Sequence, residues 1–362
     1  MTAASDSELW VALSLIPGLG NGALRALLSA FGEPREICNA SYIDLTRIVK
    51  PAIARAICDG FNSELIQPTQ DWLATAGNHV LTLADTDYPA ALLHIPDPPC
   101  ILYLKGSRTI LSLLSFAIVG SRHATPQGLK TAESFALALS DHGYCIVSGL
   151  ASGIDTAAHR GGLNGKSSSI AVVGTGLDIV YPAKNRKLAH EIAEHGALLS
   201  EYPLGTPALP GNFPKRNRII SGLSRGCLVV EAALQSGSLI TARMAAEQGK
   251  EVFAIPGSIH SPVSKGCHAL IKQGAKLVES AIDILEEIGT PTLAMPVSSP
   301  PDLFSSQDNH PILTHLGHDI SNIDTLVERS GLTPELVSAM LLSLELDGRV
   351  ASLPGGQYQR IT

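Results

Sequence analysis

Apolar positions change their spacing three times along this 362-residue chain, and each change predicts a different kind of element. Over residues 5–75 they recur every three or four positions without strand-like alternation, which predicts short helices. Leu9–Ile16 is one such run, and Ala23–Phe31 resumes the spacing after the turn Pro17-Gly18-Leu19-Gly20-Asn21-Gly22. Helix, glycine turn and helix make a helix–hairpin–helix or SAM-like pattern. Its turn can lie against a DNA backbone through N–H groups, or simply join two helices of a bundle. The glycine run follows a helix rather than a strand, so it is not a dinucleotide fingerprint.

From His79 the texture becomes short β-branched or apolar runs: Val80–Ala84, Ile101–Leu104, Phe116–Val119, Cys145–Ser148, Ile170–Val173, Ala197–Ser200, Leu228–Glu231 and Val252–Ile255. After Val119 most of them alternate with amphipathic stretches of helical length, such as Gly128–Ser140, Lys187–His195 and Ile240–Gln248. Strand, turn and helix repeated at this interval predict an α/β domain over residues 78–289, with a Rossmann-like, doubly wound, mostly parallel sheet. A small N-terminal helical domain would occupy residues 1–77.

Thr290–Asn309 is rich in Pro and Ser and has no period, which predicts a linker. Beyond it, His310–Leu316, Asn322–Ser330 and Thr333–Asp347 read as three helices, the last with an apolar stripe of Leu336, Met340, Leu341, Leu344 and Leu346. Residues 348–360 then read as a hairpin. Three helices and a terminal hairpin predict a winged helix over residues 310–362.

Charge sharpens this picture. The formal net charge is -7, yet residues 101–278 hold 18 Lys/Arg against 10 Asp/Glu. Residues 1–100 hold 5 against 11, and residues 279–362 hold 3 against 12. A basic middle between acidic ends predicts a polyanion site on the central domain. The acidic winged helix predicts a protein partner rather than DNA. Six scattered cysteines without a CxxC pair predict reduced thiols, and His310, His315 and His318 read as a solvated helix face rather than a metal site. MTAASDSELW is no signal peptide and no run reaches a membrane span, so a cytoplasmic protein without membrane contact is expected.

The chemistry gathers in residues 201–241. Between Glu201 and Glu231 there is no acidic residue, while Lys215, Arg216, Arg218 and Arg225 fall in the gap. The predicted strands end in small polar turns: Gly120-Ser121-Arg122, Gly149-Leu150-Ala151-Ser152-Gly153-Ile154-Asp155, and Gly174-Thr175-Gly176-Leu177-Asp178. Such turns at the carboxyl edge of a parallel sheet form a phosphate-binding rim. Enzyme signatures are missing. There is no GxxxxGK[ST] loop, Gly174-Thr175-Gly176 is only a fragment of GxGxxG, and no GxSxG frames Ser148 or Ser152 near His159. Asp155 and Asp178 fit helix-capping and turn roles.

Taken together these runs resemble the DNA-processing protein A family, the single-stranded-DNA-binding mediators of natural transformation. The matching segments are Val119–Arg122, Val147–Asp155 with His159, Gly176–Asp178 with Tyr181-Pro182 and Asn185, and Ser200–Pro203. They continue through Phe213–Ser224, Val229–Ala232, Ser236–Ala242, Val252–Gly257, Leu344–Leu346 and Leu353–Tyr358. The resemblance implies a protein without turnover, catalytic residues, metal or cofactor. It also implies a homodimer that loads RecA recombinase onto incoming DNA where single-strand-binding protein would obstruct it.

The residues agree with that expectation. Arg122, Lys184, Lys215, Arg216 and Arg218 would contact phosphates. Gly120, Ser121, Ser148, Gly149 and Gly174 would let backbone N–H groups approach. Phe213 and Tyr181 would stack bases, and Asn217 could bond either group. The family fixes no pattern at Ala183-Lys184, so Lys184 rests on charge alone. In an extended Lys-Arg-Asn-Arg run alternate residues face opposite ways, which leaves Arg216 open to a buried structural role. Two rivals stand. One is a Rossmann-like phosphoribohydrolase of the lysine-decarboxylase-like family, which should carry PGGxGTxxE where this chain has Glu231-Ala-Ala-Leu-Gln-Ser-Gly-Ser. The other is a scaffold working through its winged helix, with no DNA binding by residues 78–289.

Overall fold

Strand faces decide how the layers stack. The computed structural model describes residues 6–291, 310–317 and 319–361; residues 292–309, expected to be a linker, and His318 lie outside them. Nine strands form one sheet: β1 (Asn78–Thr82), β2 (Ile101–Gly106), β3 (Ser115–Val119), β4 (Cys145–Ser148), β5 (Ser169–Val172), β6 (Ala197–Ser200), β7 (Ser224–Val229), β8 (Glu251–Ala254) and β9 (Lys276–Leu277). Their order is β1-β2-β6-β5-β4-β3-β7-β8-β9. The seven strands from β6 to β9 are parallel, whereas β2 pairs antiparallel with both β1 and β6. The mostly parallel, doubly wound sheet is therefore as expected.

Period-two alternation sends Ala117, Val119, Val147, Ile170, Val172, Cys227 and Val229 to one face. There they meet Ile219, Ile220 and Leu223 of the helix Asn212–Leu223 and Ala242 and Ala245 of the helix Ser238–Glu247. Phe116, Ile118, Ile146 and Leu228 point the other way, onto the helices Pro126–Asp141 and Ile154–Asn164. The sheet interior is apolar on both sides, as a parallel sheet covered by helices requires.

Among the described residues six short helices precede the sheet. Leu13, Leu27, Ile37, Leu45 and Ile57 share one core with Ile101, Tyr103, Ala171 and Leu198 of the sheet. The glycine turn is occupied by this packing. Asn21 accepts from the Cys100 N–H at 3.1 Å and donates to Glu201 at 3.2 Å, while Arg25 pairs with Asp97 at 2.9 Å.

Two segments depart from expectation. Residues 212–223 form a helix rather than an extended run, because Phe213, Arg216, Ile219, Ile220 and Leu223 recur at helical spacing; β7 therefore starts earlier and ends before Glu231. In the C-terminal unit the helices Pro311–Leu316, Ile323–Ser330 and Pro334–Leu346 and the strands β10 (Ser321–Asn322), β11 (Val350–Leu353) and β12 (Gln357–Arg360) make a winged helix. Its core takes Val337, Leu341 and Leu344 from the third helix, and leaves Leu336 and Leu346 of the expected stripe outside. Gln359 donates to Gln127 of the central domain at 3.2 Å.

Candidate nucleic-acid interface

The chain leaves β3 to build β4, β5 and β6 on one side and returns to lay β7 on the other. Ligands of open α/β sheets bind at the carboxyl ends of the strands where the order reverses. An open groove of about 590 Å³ lies there, between the turn after β3 (Gly120, Ser121, Arg122) and the polar turn Gln235–Ser238 after β7.

Glycines let the floor close up. A Cβ on Gly120 would meet Ile154 and the Glu231 carbonyl, and one on Gly153, whose φ is +79°, would meet the Ser121 carbonyl. The turn after β3 thus sits directly on the start of the helix Ile154–Asn164, where the Ile154 N–H donates to Ser121 O at 3.1 Å. Over that floor the Arg122 guanidinium lies 5.9 Å from the centre of the Phe213 ring, and Tyr181 lies 5.6 Å from the same ring, tilted by 42°. Tyr181 is 48% exposed and Arg122 is exposed, so cation and aromatic faces open together on the groove.

Beneath, the loop after β4 is clamped at three successive peptides, Gly149, Leu150 and Ala151. Asp155 Oδ2 accepts from the Gly149 and Ala151 N–H groups, both at 3.2 Å. His159 Nε2 accepts from the Leu150 N–H at 3.2 Å, so Nδ1 carries the proton and donates to Ser169 Oγ at 2.7 Å. Ser169 in turn donates to the Ile146 carbonyl. Asn185 Nδ2 donates to the Leu150 carbonyl at 2.8 Å. These bonds hold Leu150 at φ +59°, a left-handed conformation costly for a leucine. Burial pushes the His159 imidazole down to about 3, so it stays neutral. Burial also raises the Asp155 carboxyl, with Arg216 opposing, and lowers Arg216 to about 10, with Asp155 opposing.

The predicted contacts therefore separate into two sets. Gly120, Ser121, Arg122, Tyr181, Phe213, Arg216 and Asn217 line the groove. Lys215 is exposed on the first turn of Asn212–Leu223, and Lys184 is exposed four residues before Leu188 on the neighbouring turn. The others lie under the surface. Ser148 is buried and donates to the Ile118 carbonyl at 2.6 Å. The Gly149 N–H is taken by Asp155, and Gly174 is covered by the Phe213 ring. Arg218 pairs with Glu201 at 2.5 Å and Asp97 at 3.3 Å. Arg216 is only 5% exposed and forms floor rather than rim. The cause is the helix: at 100° per residue, Lys-Arg-Asn-Arg wraps round the axis instead of alternating. Asp155 is likewise no N-cap; it lies one residue inside the helix, whose N-cap is Gly153.

The sequence read Asp155 as a helix cap and found no catalytic frame around His159, but the clamp formed by Asp155, His159 and Asn185 on the loop after β4 was not foreseen. Its partners on that loop are backbone groups, which leave no residue signal. Nor does Ser148 face His159 as a nucleophile, since each already serves another partner. Glu231, a half-buried acid just after β7, accepts from the Thr125 N–H at 2.9 Å and from its hydroxyl at 2.6 Å. Burial raises its carboxyl. No group of three or more metal-ligating side chains occurs among the described residues, nor any helix long and apolar enough to cross a membrane.

A doubly wound sheet with a cationic, aromatic groove at its switch point and an appended winged helix defines a class of nucleic-acid-handling α/β proteins. Within it, residues 79–289 match the model of DNA recombination-mediator protein A, and residues 295–356 match that of the DprA winged helix domain. The chain belongs to the DNA recombination-mediator protein A family. It is 39% identical to Protein Smf of Escherichia coli over 98% of this chain and 96% of that one. A solved structure of DNA processing protein A from Streptococcus pneumoniae superimposes with a TM-score of 0.70 at 38% identity, covering 77% of this chain and 97% of that one. One of DNA processing protein A from Helicobacter pylori, concerned with its single-stranded DNA binding mode, gives 0.53 at 32% identity, with 58% and 95% covered.

Proposed function

We propose that the groove binds single-stranded DNA and that the chain is a recombination mediator. It holds and protects incoming strands in the cytoplasm and loads RecA on them during natural transformation, where single-strand-binding protein would otherwise block access. It works as a homodimer and turns nothing over. The observation that carries this reading is the Arg122–Phe213–Tyr181 stack. An unpaired base can lie on these rings while its phosphates meet Arg122 and Lys215, and a paired base cannot reach them. The Helicobacter pylori relative supports the same ligand. For the homodimer, support comes from the exposed Leu277 on the edge strand β9 and the exposed Ile282 on the helix Ala281–Ile288 that follows it.

Fluorescence anisotropy with an oligothymidine and with a duplex tests the reading: the single strand is to bind more tightly, and equal binding would overturn it. RecA filament formation on strands already coated with single-strand-binding protein tests the mediator role, with no acceleration as the failing result. Glu231 is the group a nucleotide hydrolase would use, being a half-buried acid with a raised pKa at the sheet edge. Incubation with nucleoside monophosphates is to release no base; release abolished by Glu231→Ala would establish the phosphoribohydrolase instead.

A further inference from the structure

The third helix of the winged helix, Pro334–Leu346, has two apolar faces. One is spent on the core through Val337, Leu341 and Leu344. The other carries Leu336, Ala339, Leu342 and Leu346 at spacings of three, three and four, and the three leucines are 44%, 58% and 81% exposed. A single exposed leucine is ordinary, but a stripe running the length of a helix marks an interaction surface.

Charge decides what it meets. The helix contains no Lys or Arg; its charges are Glu335 and Glu345, with Asp347 directly after it. In helix-turn-helix DNA readers the corresponding helix enters the major groove among phosphates. Here it would bring leucines and carboxylates against a polyanion. Glu345 and Asp347 also sit at the negative end of the helix dipole, where cations are the stabilising choice. Glu345 accepts from the Ser352 hydroxyl of the wing, whereas Asp347 is exposed and gains nothing from the helix dipole.

We propose that the outward face of Pro334–Leu346 docks an amphipathic helix of a partner protein, with an apolar stripe flanked by lysine or arginine. Glu335 at one end and Asp347 at the other, both exposed, bracket the leucines, so a cation at each end of the incoming helix finds a carboxylate. Thirteen residues give a helix about 20 Å long, enough for the i, i+3, i+7 anchors of helix recognition. A second copy of the same face would set carboxylates against carboxylates. The surface shares no residue with the DNA groove and does not depend on it.

The test uses the full chain and a labelled peptide of about 18 residues, with leucine and lysine in amphipathic helical register. Wild type is to bind it. Leu342→Glu with Leu346→Glu, and separately Leu342→Ser with Leu346→Ser, are to weaken binding about tenfold or more. A Leu/Glu peptide in the same register is not to bind. Equal affinity for both variants, or for a scrambled Leu/Lys peptide, would overturn the proposal. Three other results would also do so. A lower mass of the variants by light scattering would place a second copy on the face. Faster proteolysis within residues 292–309 in the variants would place the chain's own segment there. Loss of duplex-DNA binding in the uncharged variant would make the face a DNA site. Both leucines are exposed, so thermal unfolding of the variants is to match wild type.

Discussion

Gly149 and Arg216 cannot be moved independently, because a Cβ on Gly149 would land on the Arg216 guanidinium. The loop after β4 passes so close beneath the arginine that only a hydrogen fits, and the Gly149 N–H is meanwhile bound to Asp155. Gly149→Ala should therefore cost about 1–3 kcal/mol, as overpacking does, and should push Arg216 into the groove. Urea denaturation together with oligothymidine binding checks both consequences. A variant with wild-type stability and affinity would show that the floor is not rigid.

The exposed cations give a salt dependence. Arg122 lines the groove, and Lys184 and Lys215 are exposed within three residues of the lining residues Tyr181 and Pro214, whereas Arg216 and Arg218 are internal. Three phosphate contacts at about -0.7 each predict a slope of log K against log salt near -2 for single strands. Arg122→Ala and Lys215→Ala should each remove somewhat under one unit of slope. Lys276→Ala, on β9 and paired with Glu287 at 2.8 Å, should leave it unchanged. Anisotropy at several salt concentrations separates these outcomes.

Arg218 should behave differently from Arg122. It joins Asp97 and Glu201, and Asp97 also holds Arg25 of the N-terminal helices. Arg218→Ala leaves Glu201 largely buried without its cation, which should cost about 3 kcal/mol. The salt slope for DNA should stay near the wild-type value. A large fall in slope with unchanged stability would return Arg218 to the phosphate-contacting set.

His159 gives a pH signature. Its folded pKa of about 3 lies below the unfolded value, so between those values the unfolded chain binds a proton that the native protein refuses. Stability therefore falls as pH drops. From an unfolded pKa of about 6.5, this group alone should remove about 2 kcal/mol between pH 7.5 and pH 5. His159→Gln should flatten that part of the stability curve in urea titrations at the two pH values. An unchanged difference would mean the imidazole titrates normally in the native protein.

The phenyl ring of Phe213 has two tasks, covering Gly174 and offering its face to bases. Phe213→Leu keeps much of the cover and removes the ring, so single-strand affinity should fall by about 1–3 kcal/mol. Duplex affinity should change little. Parallel titrations with oligothymidine and duplex decide it, and an equal loss on both would show that the ring is structural.

Periodicity is a property of neighbouring residues, and most of the sheet and its helices was readable from the chain, although the helical spacing of Phe213, Arg216, Ile219, Ile220 and Leu223 was not read. The β-branched runs from Val80 to Ile255 and the helical stretches between them imply a parallel, two-sided sheet, whatever the distant partners. The turns after those strands also place a polar rim at one edge of it. Tertiary structure alone decided which side chains on that rim face water. Lys215, Arg216 and Arg218 look alike in sequence, but the helix turns the first outward. It lays the second on Gly149 and carries the third to Asp97, 121 positions away. Asn185 likewise reaches the Leu150 carbonyl across 35 positions. Burial and charge pairing depend on residues brought together only when the sheet closes, so no local pattern records them.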